Sequence, residues 1–281
     1  MSLMFSFSTL GMLGLYTMKP LISVCILNYR TPLNAVSCAK NLLNQTIADE
    51  IEIFVIDNNS DNDTIGILRN RLADQDKVKI IEVPKNLGFA TGNNYGSKYA
   101  EGEYLLFLNP DTEPENDALE KLIDVLKSDP SIGIIAPKLV FTDGTVRDSY
   151  RTYPTVVDLV IKRSFLKHIF KERMKRYLQY DSSPDKTRDI DWVVGAFMLM
   201  KRELFEELGG FDSRYFLFLE DTDLCRKCWN AGKRVLYYPQ VEALDGKQRL
   251  SGSKFRHMFT KKTGRIHMAS AVKYFMKWGL S

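Results

Sequence analysis

Leu21–Leu27 reads LISVCIL, a short apolar run rich in branched residues and closed at once by the polar pair Asn28-Tyr29. A run of that length and composition is a buried strand. Pro32 then opens a helix through Leu43, with Thr31 as its N-cap. The same sentence of structure repeats downstream. Ile51–Ile56 (IEIFVI) is a second strand ended by Asp57-Asn58-Asn59-Ser60, with a helix from Asp61 to Ala73. Val78–Val83 is a third, followed by the glycine- and asparagine-rich Asn86–Gly96 and a short helix to Ala100. Tyr104–Leu108 (YLLFL) is a fourth, ended by Asn109-Pro110-Asp111 and followed by a helix from Glu115 to Lys127. Strand alternating with helix in this way predicts an α/β fold, a mostly parallel central sheet flanked by helices and joined by right-handed crossovers.

Beyond Ile132–Val140 the rhythm changes. Asp143-Gly144 marks a hairpin turn. Val156–Tyr180 is basic and helical, Ser182–Arg188 a polar loop, and Asp191–Met200 strand-like. Helices at Lys201–Leu208 and Glu220–Trp229 are stopped by Gly209-Gly210 and Gly232, and Arg234–Tyr238 is a last strand. The pattern divides the chain into residues 1–18, an apolar extension outside the fold; residues 19–245, one domain with a nucleotide-binding half to about 112 and an acceptor half from 113; and residues 246–281, a helical tail.

The 281 residues carry a net charge of only +4, which argues against a dedicated nucleic-acid binder. The positive charge is uneven: Lys247 to Lys277 holds nine Lys and Arg and no acid. Such a tail suits an anionic phospholipid or polyprenyl phosphate surface, and equally a solvated helix face. Of four cysteines, Cys225 and Cys228 form a CxxC with no second pair to complete a zinc site, so packing is their expected role. Residues 1–18 lack the basic start and cleavage site of a signal peptide and are short for a membrane span; they read as an extension, translated upstream of a start at Met18, with a membrane-touching segment as the alternative.

Polar residues gather where the strands end: Asn28 and Tyr29, Asp57, Asn86, Asp111. In an open α/β sheet that edge binds ligands. Neither GxGxxG nor GxxxxGK[ST] is present, so phosphate charge must be met otherwise, and a divalent metal on Asp111 would serve. As a plain structural residue, Asp111 would be an acid at a helix start. A second cluster, Glu220-Asp221-x-Asp223, crowds three carboxylates behind the aromatic run Tyr215–Leu219. These acids are a general base at the rim of an apolar pocket, or caps of a helix.

In order along the chain, VCILNYR (24–30), VIDNNS (55–60), NLGFATGNNYG (86–96), LFLNPDT (106–112), VGAFMLMKRELFEELGGF (194–211), FLEDTDLC (218–225) and GKRVLYYP (232–239) resemble glycosyltransferase family 2, in its bacterial rhamnosyltransferase-like branch. The resemblance covers about Pro20 to Pro239. It implies a GT-A fold and an inverting transfer from a nucleotide diphosphate sugar, with dTDP-rhamnose as the branch-level donor and glucose, galactose or an amino sugar left open. Asp57 would contact the base of the nucleotide. Asn28, Tyr29, Asn86, Gly88, Phe89 and Asn93 would line the nucleoside pocket, with Asn109 beside the donor. Asn109-Pro110-Asp111 stands for the family's DxD motif, so Asp111 would hold Mn2+ or Mg2+. Asp221 would be the catalytic base, with Glu220 beside it, and Trp192, Gly195 and Ala196 would face sugar and acceptor. Where the family places a metal-binding His, this chain has Asp245; His257 and His267 lie farther on. The resemblance further implies a glycan or polyprenyl-linked acceptor in surface polysaccharide synthesis, and a cytoplasmic protein held peripherally at the inner face of the membrane. Two rivals remain at this point. A sugar nucleotidyltransferase would need a glycine-rich basic loop after the first strand, which Asn28–Pro32 lacks. A non-catalytic glycan-binding descendant has Asp245 as its support and the intact Glu220-Asp221 against it.

Overall fold

The structure is a computed structural model, and it describes residues 19–61, 63–180, 183–246 and 261–280. Residues 1–18 and the tail positions Lys247, Arg249, Lys254, Phe255, Arg256, His257 and Phe259 lie outside the described residues.

The first half follows the expected alternation. Strands β1 (Ile22–Asn28), β2 (Ile51–Asp57), β3 (Val78–Glu82) and β4 (Tyr104–Leu108) alternate with helices α1 (Pro32–Leu42), α2 (Thr64–Leu72) and α3 (Gly88–Ser97). They lie side by side in the order β3-β2-β1-β4, all parallel, with Asn28 level with Asp57. The polar residues therefore reach the same edge because the strands share direction and register. β1, β2 and β4 are buried on both faces, so their sequences are continuous apolar runs rather than alternating ones. Successive residues enter opposite cores: Val24 and Leu106 pack with α1 on one face, Cys25 and Phe107 with α3 on the other.

The second half comprises β5 (Thr112–Pro114), α4 (Ala118–Ser128), β6 (Ile132–Phe141), β7 (Tyr150–Arg151), α5 (Val156–Arg163), α6 (Lys171–Leu178), β8 (Arg188–Asp189), β9 (Trp192–Val193), β10 (Phe197–Lys201), α7 (Arg202–Glu207), α8 (Glu220–Asn230), β11 (Arg234–Asp245) and α9 (Lys262–Trp278). The sheet continues β4-β10-β6-β11-β5, with β10 antiparallel to both neighbours. The hairpin turn at Asp143-Gly144 forms, with Gly144 at φ 81° donating to the Phe141 carbonyl at 2.8 Å.

Several expected elements differ in detail. Thr31 does not cap α1 with its side chain; its hydroxyl donates instead to Asn28 Oδ1 at 3.0 Å. Asp191–Met200 is two strands, β9 and β10, separated at Val194–Ala196. Val156–Tyr180 is two helices joined by a 3-10 turn, Phe165–His168, and the first is opened by a reciprocal capping box between Thr155 and Asp158. The last strand runs on to Asp245, past a register shift between Tyr238 and Glu242 that absorbs Pro239.

All four cysteines are buried as free thiols, and burial pushes the Cys228 thiol up to about 12. Such thiols are inert packing groups. The helical tail appears as α9, whose Tyr274 is fully buried in the α8-side core.

Candidate active site

The strand-end residues form one hydrogen-bonded floor. Asp57, at the end of β2, accepts from Asn28 Nδ2 at 3.1 Å, from the Ser60 amide at 3.0 Å and from the Ser60 hydroxyl at 2.6 Å. Asn58 reaches to the next loop: its Nδ2 donates to Asn86 Oδ1 at 3.2 Å and to the Gly88 carbonyl at 3.3 Å, and its Oδ1 accepts the Leu87 amide at 2.9 Å. Tyr29 stands at the mouth, 41% exposed, with the Arg30 guanidinium 5.0 Å from its ring.

The loop before α3 is clamped from the other half of the chain. The Phe89 amide donates to the Phe216 carbonyl at 2.7 Å, and Gly88, at φ 76°, lies so close that a Cβ would run into that carbonyl. Asn93 is buried and donates back to the Phe89 carbonyl at 3.1 Å. Its neighbour Asn94 makes a two-way pair with the Phe211 backbone, at 2.7 and 3.0 Å. The Phe89 ring meets Phe211 edge-on and lies against the α-carbon of Gly195.

Asp111 and Asp245 are brought together by β5 and β11. Thr112, next to Asp111, is in register with Asp245, and the Gly246 amide donates to the Asp111 carbonyl at 2.8 Å. Burial first, and then the charge of Asp245, push the Asp111 carboxyl above the ordinary carboxylate range, against the pull of Arg147. Arg147 ion-pairs with Asp245 at 2.5 Å, and Thr112 donates to the same oxygen at 3.3 Å. Two neighbouring carboxylates that repel each other are a donor set suited to a hard divalent cation. They would supply part of its ligand shell and no more: no group of three or more His, Cys, Asp or Glu side chains placed to hold a metal occurs among the described residues, and Arg147 already pairs with Asp245.

The second acid cluster separates by role. Asp223 is fully buried and faces α9, where Lys277 Nζ and Trp278 Nε1 donate to it at 2.9 and 2.7 Å. Asp221 turns instead to the segment between β9 and β10. Its Oδ2 accepts the Gly195 amide at 3.0 Å and its Oδ1 the Thr222 amide at 2.7 Å. Burial raises its pKa, while these amides and the Arg151 charge draw it back. Glu220 is buried, its Oε2 has no hydrogen-bond partner among the described residues, and burial followed by the charge of Asp221 raises its pKa. Phe218 and Leu219, immediately before, are held at φ 73° and 69°, a left-handed conformation costly for bulky residues. Trp192 donates its indole N–H to the Thr152 carbonyl at 2.8 Å, and the Arg151 guanidinium lies 5.2 Å from its ring.

The two acid centres are linked through one short segment. Gly195 holds Asp221, and the adjacent Ala196 carbonyl accepts the Asn109 amide at 2.9 Å, two residues before Asp111. Asn58, Asn94, Arg147, Arg151 and Phe216 take part in this arrangement without having been singled out from sequence. Asn58 and Asn94 lie inside quoted motifs and Phe216 inside the quoted aromatic run; Arg147 sits in a loop and Arg151 ends β7, and both meet partners far along the chain.

Residues 23–209 match the glycosyl transferase family 2 description. Rhamnosyltransferase WbbL of Escherichia coli is 30% identical over 197 residues, covering 66% of this chain and 69% of that protein. The N-acetylglucosaminyl-diphospho-decaprenol L-rhamnosyltransferase of Mycobacterium tuberculosis is 26% identical over 220 residues, covering 72% and 68%. Among solved structures, the mannosyltransferase PcManGT of Pyrobaculum calidifontis, in complex with GDP-Man and Mn2+, superposes with a TM-score of 0.60 at 20% identity, over 92% of this chain and 65% of that one. That likeness identifies the GT-A fold. On these matches the chain is a glycosyltransferase that belongs to glycosyl transferase family 2, alongside relatives named as rhamnosyltransferases.

Proposed function

We propose that this glycosyltransferase moves a sugar, with inversion, from a nucleotide diphosphate donor to a hydroxyl of a glycan or polyprenyl-linked acceptor in surface polysaccharide synthesis. The names of its relatives favour rhamnose, hence dTDP-rhamnose as donor, and one of them acts on a lipid diphosphate. The floor of Asn28, Asp57 and Asn86, with Tyr29 at its mouth and Gly88, Phe89 and Asn93 beside it, receives the nucleoside. Asp111 and Asp245 would hold Mn2+ or Mg2+, which when bound neutralises the donor diphosphate.

Asp221 takes the proton from the acceptor hydroxyl. The hydroxyl oxygen forms its bond to the anomeric carbon from the face opposite the diphosphate. The anomeric bond to the diphosphate breaks, its electron pair leaves with the nucleotide, and one displacement inverts the centre. Trp192, Gly195 and Ala196 line the sugar and acceptor side, and Glu220 supports the base.

The observation that carries this reading is the segment Gly195-Ala196, which ties the Asp221 carboxylate to the backbone leading to Asp111. The test is a pair of variants. Asp221→Asn should lower kcat by about a hundredfold or more, the usual worth of a general base, with donor binding retained. Asp111→Ala should weaken metal-dependent donor binding in calorimetry. Asp221→Asn turning over at the parental rate would remove the base assignment; a product of retained anomeric configuration would remove the single displacement.

A further inference from the structure

Opposite walls of an open apolar groove of about 430 Å³ are formed by α5 and α9, with Val156, Val160, Val272, Phe275, Met276 and Leu280 in its lining. Most of these side chains stand open: Val160 is 41% exposed, Val272 59% and Met276 82%. Two more large apolar side chains stand open just after α5: Phe165, 73% exposed, in the 3-10 turn, and Ile169, 63% exposed, at its end. Contiguous exposed apolar surface of this kind marks a contact site.

Charge says what the contact is. Residues 156–178 hold seven Lys and Arg against two acids, and residues 261–280 hold five against none. Both acids of the first segment are paired: Asp158 with Arg173, and Glu172 with Lys175. In the run Phe165–Lys171, FLKHIFK, exposed apolar and basic residues interleave. A second copy of the chain would bring an equal positive charge onto this face, and like-charge juxtaposition opposes such an interface. An anionic bilayer offers apolar depth for the side chains and negative headgroups for the cations.

The groove also adjoins the site. His267 lines it and packs at a tilt against Phe218, ring centres 5.0 Å apart, two residues before Glu220, while Val156 follows Arg151 and Thr152, which hold Trp192. We infer that the α5–α6 and α9 segments together form the face by which the protein seats on an anionic phospholipid membrane, with the acceptor side of the site next to the lipid surface. The inference deepens the reading of a polyprenyl-linked acceptor, since that substrate's head would emerge beside Asp221.

The experiment is co-sedimentation of the full chain with vesicles of phosphatidylglycerol mixed with phosphatidylcholine, and with phosphatidylcholine alone. The protein should prefer the mixed vesicles and lose binding as salt is raised. The double variant Phe165→Glu, Met276→Glu should bind about tenfold or more weakly, since each change places a charge where an apolar group would enter the interface. Lys167→Glu with Lys171→Glu should abolish the preference for anionic lipid. All four positions are solvent-facing, so unfolding midpoints and transfer to a short soluble acceptor should hold at parental values. The inference is overturned if both double variants bind like the parent, if the parent binds neither vesicle, or if sedimentation velocity shows a dimer that Phe165→Glu, Met276→Glu dissociates. Vesicle binding by a protein that transfers no sugar from any nucleotide donor would sink the proposed activity and leave this face standing.

Discussion

At the level of single residues, Glu220 and Asp221 are adjacent acids with different surroundings. Asp221 is held by two backbone amides, whereas Glu220 is buried with one carboxylate oxygen unpartnered among the described residues and a pKa raised by burial. Glu220 is thus held toward its neutral form, which glutamine imitates. Glu220→Gln should keep kcat within about tenfold of the parent while Asp221→Asn loses far more, measured side by side under saturating donor. Asp221 also has a raised pKa, so its carboxylate form is the one lost as pH falls. The acid limb of kcat/KM should therefore lie above pH ~4, the ordinary aspartate value, and a limb at or below it would contradict the assignment. Residue types alone allowed base or cap for these acids, and only the family resemblance singled out Asp221. The division depends on Gly195 and Lys277, 26 and 54 residues away from Asp221 and Asp223 respectively.

At the level of elements, the loop before α3 is fixed by Gly88. Gly88→Ala places a side chain at φ 76° against the Phe216 carbonyl, and the left-handed conformation alone costs about 1–2 kcal/mol. The loop must shift, so donor affinity should fall more than the unfolding free energy does, by calorimetry and urea unfolding respectively. The stretch was legible as glycine- and asparagine-rich, but it forms α3 itself, Gly88–Ser97, rather than a lead-in to a helix ending at Ala100; its clamp was not legible, because Phe216 lies more than a hundred residues downstream. Three of the four parallel strands, β1, β2 and β4, were legible because burial on both faces writes them as unbroken apolar runs, while β3, half-exposed at the sheet edge, was legible from its place in the alternation. The same feature hid the break between β9 and β10, where WVVGAFMLM runs through apolar residues without a stop. There the Gly195 amide is taken by Asp221 rather than by a neighbouring strand. Pro239 likewise suggested a strand end, yet a register shift carries β11 on to Asp245 and so brings that acid to Asp111.

For the molecule as a whole, α9 and α8 are joined through Asp223, which is fully buried against Lys277 and Trp278 and also pairs with Lys227. Removing one partner of a buried ion pair costs about 3–5 kcal/mol. Asp223→Ala should lower the urea unfolding free energy by that order, and an unchanged midpoint would show that α9 adds nothing to the fold. Acid should loosen the same junction. Hydrogen bonds from Arg214 and then Lys277 hold the Asp212 carboxyl below the usual carboxylate range. Its contribution is therefore present above pH ~4 and drains away as pH falls further. Ser270 completes the junction by donating to the Leu217 carbonyl at 2.8 Å, directly behind the left-handed turn at Phe218 and Leu219. A premature stop codon just before Lys262 would leave every recognisable motif intact in the gene. The encoded enzyme would nonetheless have lost the brace that holds its acid-bearing helix, and such an allele should behave as a null.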